Sequence, residues 1–358
     1  MRTFTFSGSH RAIGQAFGES CRSEIASLYK RRVTNALEQA LRFGGQSASE
    51  EALLDLARRS APATKAFDPA SWEELEGIAA GSGLDVIQIL AMNGLTDFRD
   101  SLAWPDGGSN QADGCTSIMA APDATRDGGV IAGQTWDLAT DNLPHVICVH
   151  RQPTNGPKTW SLTTDGCLSL IGMNEAGIGI GTTNLRTRDA RAGVNYLSII
   201  HRVLACTDFE DAASVIIDAP RAGAHYYWLV DGLGRATNIE CNARTAYRQD
   251  LTTGCAIHAN HALHPAVAAV EGAPSSASSL ARQARLETLA SEAHGRIDVA
   301  TLESFFADAH NDSNAICRDD FGGINTNGSV ILDPREGIMR VCHGVPTKNP
   351  WFDFRQGS

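Results

Sequence analysis

The chain lacks the marks of several large functional classes. Lys and Arg number 30 against 41 Asp and Glu, and no basic stripe interleaved with aromatics occurs, which argues against nucleic acid as a partner. No uninterrupted apolar run reaches the roughly 20 residues that span a bilayer. The start Met1-Arg2-Thr3-Phe4 has no apolar core of the kind a secretory signal needs. The nine cysteines form no CxxC pair, and their odd number in a long chain argues against a disulfide framework. A reducing cytoplasm is the simplest reading. The P-loop, a GxGxxG after a strand, the GxSxG elbow of serine hydrolases and the HExxH zinc motif are all missing. There is no internal repeat, and the Ser/Ala run Ser275–Ser279 is the only biased tract.

What the chain does have is a change of pattern at residue 115. At 358 residues it is long enough to bury a substantial core. Upstream, Thr3 to Ser7 alternates like a short strand. Ile13, Phe17, Cys21, Ile25, Leu28, Val33, Leu37 and Leu41 then recur at helical spacing, which predicts one helix over about 10–43, ended by Gly44-Gly45. The basic run Lys30-Arg31-Arg32 within it reads as a solvated face. Further helices are predicted over 50–60, from the capping-box-like Ser71-Trp72-Glu73-Glu74 to Gly81, and from Asp85 through Leu95. The polar stretch 99–113 reads as a linker or an ordinary surface loop.

Beyond Cys115 strand patterns dominate: 115–120, 129–137, 146–150, 159–162 and 168–173, then 178–183 across the hairpin turn Asn174-Glu175-Ala176-Gly177. Helices are expected at 196–206 and 209–218. Strands resume at 226–230, 236–240, 245–249 and 255–258. Helices at 275–292 and 298–309 and a final hairpin, 330–333 with 338–342, complete the chain. Short connections between mostly antiparallel strands predict an α+β architecture of two packed sheets with helices outside. The division expected is a helical segment 1–114 and a mixed domain 115–358.

The seam itself carries chemistry. Asp113-Gly114-Cys115-Thr116-Ser117 follows the soft run Gly107-Gly108-Ser109-Asn110-Gln111. A chain that cut itself before Cys115 would own an N-terminal thiol one residue from an α-amine. That amine, with an ordinary pKa of roughly 7.7–8.0, is a workable base at neutral pH. Paired nucleophile and terminal amine is an established device, and the thiolate is the reactive form of cysteine. Gly114 would let the backbone bend so that the thiol reaches the Gly114 carbonyl. Most cysteines, by contrast, are buried and inert.

Other residues have two readings each. Asp137, in Gly133-Gln134-Thr135-Trp136-Asp137, can hold an amine or merely serve a turn. Asn260, in His258-Ala259-Asn260-His261, can donate to a developing oxyanion or cap a turn. Arg318 can bind a substrate carboxylate or pair with Asp319 and Asp320 at the surface. Asn184 can face the cleft or cap its strand, and Ser117 shares a strand face with Cys115. His258, His261 and His264 invite a metal reading, but their spacing completes no known site. A conventional thiol hydrolase using His258 or His261 is a rival reading, and a ligand-binding protein without catalysis is another.

Taken together and in order, the motifs around Cys115, Asp137, 172–184 (Gly-Met-Asn-Glu-Ala-Gly-Ile-Gly-Ile-Gly-Thr-Thr-Asn), 258–261 and 316–320 (Ile-Cys-Arg-Asp-Asp) resemble the acyl-coenzyme A:6-aminopenicillanate acyltransferase family. That family belongs to the N-terminal-nucleophile hydrolases, whose wider kin include penicillin V acylases and bile salt hydrolases. The likeness covers most of 115–358. It implies a four-layer αββα core preceded by a helical segment, and self-cleavage between Gly114 and Cys115. It further implies Cys115 as nucleophile with its α-amine as base, Asp137 beside the thiol, Asn260 at the oxyanion, and Arg318 as the arginine after the late cysteine. With Arg318, the strand positions of Ser117 and Asn184 make them the expected substrate-binding residues. Gln134 stands where the bile-salt branch carries arginine, so the acyltransferase branch is the nearer. The expected activity is amide hydrolysis through an acyl-enzyme, or transfer of the acyl group from an amide or thioester to an amine. No cofactor and no metal are expected. The expected partners are a small amide or acyl substrate and the chain's own cleaved N-terminal segment, without nucleic acid or membrane; a homo-oligomer is compatible with all of this.

Overall fold

A computed structural model describes residues 1–45, 47–103, 114–272 and 274–355. The N-terminal part forms β1 (Arg2–Gly8) and six helices: α1 (His10–Ser20), α2 (Arg22–Gly44), α3 (Glu50–Phe67), α4 (Pro69–Ser82), α5 (Val86–Asn93) and α6 (Leu95–Ala103). The single helix expected over 10–43 is two, because the chain turns at Cys21, which caps one helix and opens the next. The helix expected to stop at Ser60 continues through Pro62 to Phe67. Asp85 makes the expected cap, reinforced by Gln88 in a capping box. Leu95, expected in the same helix, instead starts α6.

Residues 99–103, expected in a linker, belong to α6, where Arg99 is buried with Asp100; the rest of that stretch, 104–113, lies outside the described residues. Arg32 also departs from expectation. Lys30 and Arg31 are exposed, but Arg32 is 4% exposed and points into the protein.

The remainder forms β2 (Gly114–Ala120), β3 (Ile131–Ala139), β4 (Val146–Pro153), β5 (Thr159–Thr164), β6 (Ile171–Asn174), β7 (Gly179–Leu185), α7 (Tyr196–Leu204), α8 (Phe209–Asp218), β8 (Ala224–Val230), β9 (Ala236–Cys241), β10 (Ala246–Asp250) and β11 (Cys255–His258). Then come α9 (Pro265–Ala268), α10 (Ala277–Glu292), α11 (Val299–Phe306), β12 (Ile324–Asp333), β13 (Ile338–His343) and β14 (Trp351–Arg355). The last hairpin is therefore longer than predicted, and β14 adds a strand that the short Trp-Phe-Asp-Phe-Arg segment did not announce.

The strands build two sheets, ordered β1-β4-β5-β6-β7-β8-β9-β10 and β11-β2-β3-β12-β13-β14. Pairing is antiparallel except where β1 lies parallel to β4. The N-terminal third thus supplies an edge strand as well as helices. One apolar core fills the space between the sheets and continues under the N-terminal helices, from Phe17 and Ile25 through Cys148 and Ile180 to Val330. A second, with Ile118, Leu286, Phe306 and Ile331, joins α10 and α11 to the outer face of the six-stranded sheet. α7 packs over β6 and β7 on the other outside. The order is helix, sheet, sheet, helix, the expected αββα sandwich. Among the described residues no single helix is long and apolar enough to cross a membrane.

Candidate active site

The two-residue period of a strand divides β2 between two environments. Cys115 and Met119 enter the core between the sheets, whereas Ile118 and Ala120 enter the core beneath α10 and α11. Across the ladder Cys115 faces Trp136 and Gly114 faces Asp137. The thiol therefore lies between the sheets, and polar groups collect on the opposite face, around Gly114 and Thr116.

Those groups form one network. The Cys115 N–H donates to Asn260 Oδ1 at 2.8 Å. Arg282, fully buried on α10, donates to the Cys115 carbonyl, to Thr116 Oγ1 at 2.7 Å and to Asn260 Oδ1 at 2.9 Å. Asn260 Nδ2 donates to the Asn184 carbonyl at 3.0 Å, and its backbone N–H to Ser279 Oγ at 2.8 Å. Two donors at Oδ1 and one acceptor at Nδ2 define which way the amide points. One Nδ2 hydrogen remains to be directed elsewhere. Burial, with help from the charge of Arg318, pulls the Arg282 pKa down to about 10, against the pull of Asp137; the guanidinium stays charged at neutral pH.

Asp137 is fully buried. Its Oδ1 accepts from Thr326 Oγ1 at 2.8 Å, while Oδ2 lies 3.5 Å from Arg318 Nε and takes no hydrogen bond. Thr326 stands opposite Asp137 in the β3–β12 ladder, just before a β-bulge between Thr326 and Gly328. Burial pushes the Asp137 carboxyl upward, opposed by Arg318, Arg282 and the Thr326 bond. Arg318 turns inward to Asp137 and Ser278, while Asp319 pairs with Lys348, which corrects the surface-pairing alternative.

The reason for glycine at 114 also needs correcting. Gly114 is ordinary strand without positive φ, so no strained backbone demands it. A Cβ there would lie 2.6 Å from Asp137 Oδ2 and 2.9 Å from an Arg318 nitrogen. A side chain there would have to push aside the ends of this charged pair.

The remaining expected residues are nearby. Ser117 shares the Cys115 face and its Oγ donates to the His258 carbonyl at 3.2 Å. Asn184 and Cys115 line the same small cavity, of about 30 Å³, walled by Trp136, Leu138, Leu170 and Tyr196. The histidines serve other contacts. His258 Nδ1 lies 2.6 Å from Thr183 Oγ1 and 2.8 Å from the Ala259 carbonyl, and its Nε2 lies 3.6 Å from Glu240. His261 Nδ1 lies 2.8 Å from Ser279 Oγ, and His264 Nδ1 accepts from the Ala266 N–H. Among the described residues no group of three or more His, Cys, Asp or Glu is arranged to hold a metal ion.

Arg282 is the residue that sequence reasoning missed. Its signal was available: α10 buries Ser279, Arg282, Leu286 and Ala290, and an arginine inside such a stripe needs internal partners.

A model of the acyl-coenzyme A:6-aminopenicillanic acid acyl-transferase family matches residues 124–348, a span that includes Asp137, Asn184, Asn260, Arg282 and Arg318 and begins after Cys115. The chain is 25% identical over 322 residues to the 40 kDa form of acyl-coenzyme A:6-aminopenicillanic-acid-acyltransferase from Emericella nidulans, covering 88% of this chain and 84% of that protein. An uncharacterized protein from Archaeoglobus fulgidus is 25% identical over 249 residues, 64% of this chain and 41% of its own length. Among solved structures, a mutant conjugated bile acid hydrolase from Clostridium perfringens aligns with a TM-score of 0.46 and 13% identity, over 67% of this chain and 92% of the other. Penicillin V acylase from Agrobacterium tumefaciens aligns with a TM-score of 0.43 and 11% identity, over 67% and 86%.

Proposed function

Because the chain belongs to the acyl-coenzyme A:6-aminopenicillanic acid acyl-transferase family, we propose that it is a self-cleaving thiol amidohydrolase acting on small N-acyl amides. The observation that carries this reading is the Cys115 environment. The nucleophile's backbone N–H is held by Asn260 at 2.8 Å, and the bond before it is pressed against Asp137 and Arg318.

Maturation comes first. Cys115 Sγ attacks the Gly114 carbonyl carbon, the Gly114–Cys115 C–N bond breaks, and the nitrogen takes a proton as it becomes an amine. Asp137 Oδ2, unbonded and beside Gly114 on the strand face opposite the resting thiol, accepts the thiol proton once the Cys115 side chain has turned toward the Gly114 carbonyl. Water then hydrolyses the thioester and frees the thiol.

Turnover repeats the pattern with the α-amine as base. Sγ adds to the substrate carbonyl while the amine takes the thiol proton. The free Nδ2 hydrogen of Asn260 stabilises the oxyanion. The C–N bond breaks, the leaving amine takes the proton, and water later releases the acid from Cys115. Arg282 keeps the Asn260 amide pointed correctly from behind.

An amine in place of water at the last step gives acyl transfer, and the likeness to the Emericella acyltransferase favours keeping this second reading. Mass spectrometry of protein quenched during turnover of an N-acyl amide tests both. An acyl adduct on Cys115 is expected. Turnover with no adduct there, or turnover that survives Cys115→Ala, contradicts the proposal.

A further inference from the structure

The cavity beside Cys115 contains an unanswered charge. Arg32 is 4% exposed and lines that cavity together with Thr96, Asn184 and Tyr196. Its guanidinium donates to the Met92 carbonyl at 2.9 Å, to Thr164 Oγ1 at 2.7 Å and to Cys167 Sγ at 3.1 Å. No described carboxylate lies within ion-pair distance of it, and its Nε–H has no acceptor. Thr96 Oγ1, 7% exposed and on the same cavity, also has no hydrogen-bond partner. The acid of this neighbourhood, Asp97, is already spent on His225 Nε2 at 2.8 Å and on the Tyr196 N–H at 2.9 Å.

A buried cation without an anion is costly, and so is a buried donor without an acceptor. Proteins keep such groups where a ligand completes them. On this ground, and resting on the reading of Cys115 as an acylated nucleophile, we propose that Arg32 and Thr96 form a carboxylate subsite, so that the preferred substrate is an amide carrying a second, anionic group. The carboxylate accepts from Arg32 Nε–H and from the Thr96 hydroxyl, and the apolar walls formed by Trp136, Leu138 and Leu170 hold the carbon chain between it and the scissile carbonyl. The cavity, about 30 Å³ in the intact chain, has room for roughly two water-sized groups, the two oxygens of a carboxylate, so a whole substrate enters only as these walls move apart. The charged group comes from the acyl side or from the amine side; both place the same chemistry on Arg32.

The test compares kcat/KM of the wild-type enzyme on matched pairs. One arm uses monoamides of short dicarboxylic acids against neutral acyl amides of equal length. The other uses N-acyl amino acids against the corresponding N-acyl alkylamines. One charged series should exceed its neutral match by about tenfold or more, the effect expected of a charge-assisted hydrogen bond in a buried site. Arg32→Gln should collapse that ratio, and Arg32→Lys should retain part of it. Neutral substrates preferred in both arms, or a ratio that Arg32→Gln leaves intact, overturn the proposal and leave Arg32 a rivet between α2, α5 and β5. Calorimetric binding of the free dicarboxylates to wild-type protein separates the two levels. With no turnover in any arm, the amidohydrolase reading falls by itself; binding that Arg32→Gln abolishes then upholds the subsite, and the absence of binding refutes it.

Discussion

At the Gly114–Cys115 bond the demand on the residue is steric and electrostatic together. A methyl group at 114 must displace Asp137 or Arg318 from a buried ion pair. Gly114→Ala should therefore slow self-cleavage by about tenfold or more, since moving a buried pair costs at least 1–2 kcal/mol, as read from the time course of fragments on a denaturing gel. Cleavage at the wild-type rate would show the pair to be slack. Asp137 gives a pH prediction. Burial raises its carboxyl, and a base must be ionised, so cleavage should fail on acidification at a pH above the ordinary carboxylate range. Asp137→Asn should hold the chain uncut.

Arg282→Met removes the guanidinium donor from the Cys115 carbonyl and one of the two donors from Asn260 Oδ1, which keeps the Cys115 N–H. It should lower kcat by about a hundredfold, the scale of losing one well-placed oxyanion contact, with a smaller change in KM. An equal rise in KM alone would assign Arg282 to substrate binding. At this scale the motifs pointed to Cys115, Asp137 and Asn260, and the fold brings these three positions together; their roles stand as proposals. The sequence was silent on Arg282 and misleading on Arg32, because burial of an arginine depends on what packs over it, and Lys30-Arg31-Arg32 reads as one charged run although its third member faces inward.

Among elements, the contact between α1 and α4 is the tightest. Gly14 and Gly18 of α1 meet Gly77 and Gly81 of α4, and a Cβ at any of the four would strike backbone of the opposite helix. Such four-residue spacing of small residues lets two helices touch along their backbones. Gly77→Leu should destabilise by about 1–3 kcal/mol, the usual cost of overpacking, measured as a lowered denaturant midpoint; no change would mean that the helices are free to separate.

Gln134 plays a comparable part between the sheets. Its side chain accepts from Trp228 Nε1 and the Thr182 N–H and donates to the Thr182 carbonyl, each at 2.8 Å. In the sequence this residue marked only a branch of the family; its work as a tie from β3 to β7 and β8 needed the fold. Element type followed from periodicity, whereas breaks such as Cys21 and extensions such as residues 61–67 of α3 followed from tertiary packing, which overrides local signals.

At the scale of the whole molecule, one set of buried charges lies at the junction of its N-terminal and C-terminal parts. Glu74 of α4, fully buried, is bonded to Arg151 of β4 at 2.8 Å and lies 3.4 Å from His201 of α7. Burial would raise its pKa, but Arg151 and His201 outweigh that and hold it down to about 2. A depressed carboxylate contributes stability that is complete above its unfolded value, 4.5, and is lost as pH falls toward about 2. Wild type should lose on the order of 3 kcal/mol across that window from this group, and Glu74→Gln should flatten the dependence while lowering stability at neutral pH. An unchanged acid profile in the variant would remove Glu74 from the account. The same junction, with β1 in the larger sheet and one shared core, should keep the two fragments together after cleavage, co-eluting in size exclusion until denaturant is added.

The most direct test is intact mass combined with N-terminal sequencing of the purified, active protein. Two chains of 114 and 244 residues are expected, the longer beginning Cys-Thr-Ser, and Cys115→Ala should yield one chain of full length. Active protein in which Gly114 is still bonded to Cys115 would contradict the account.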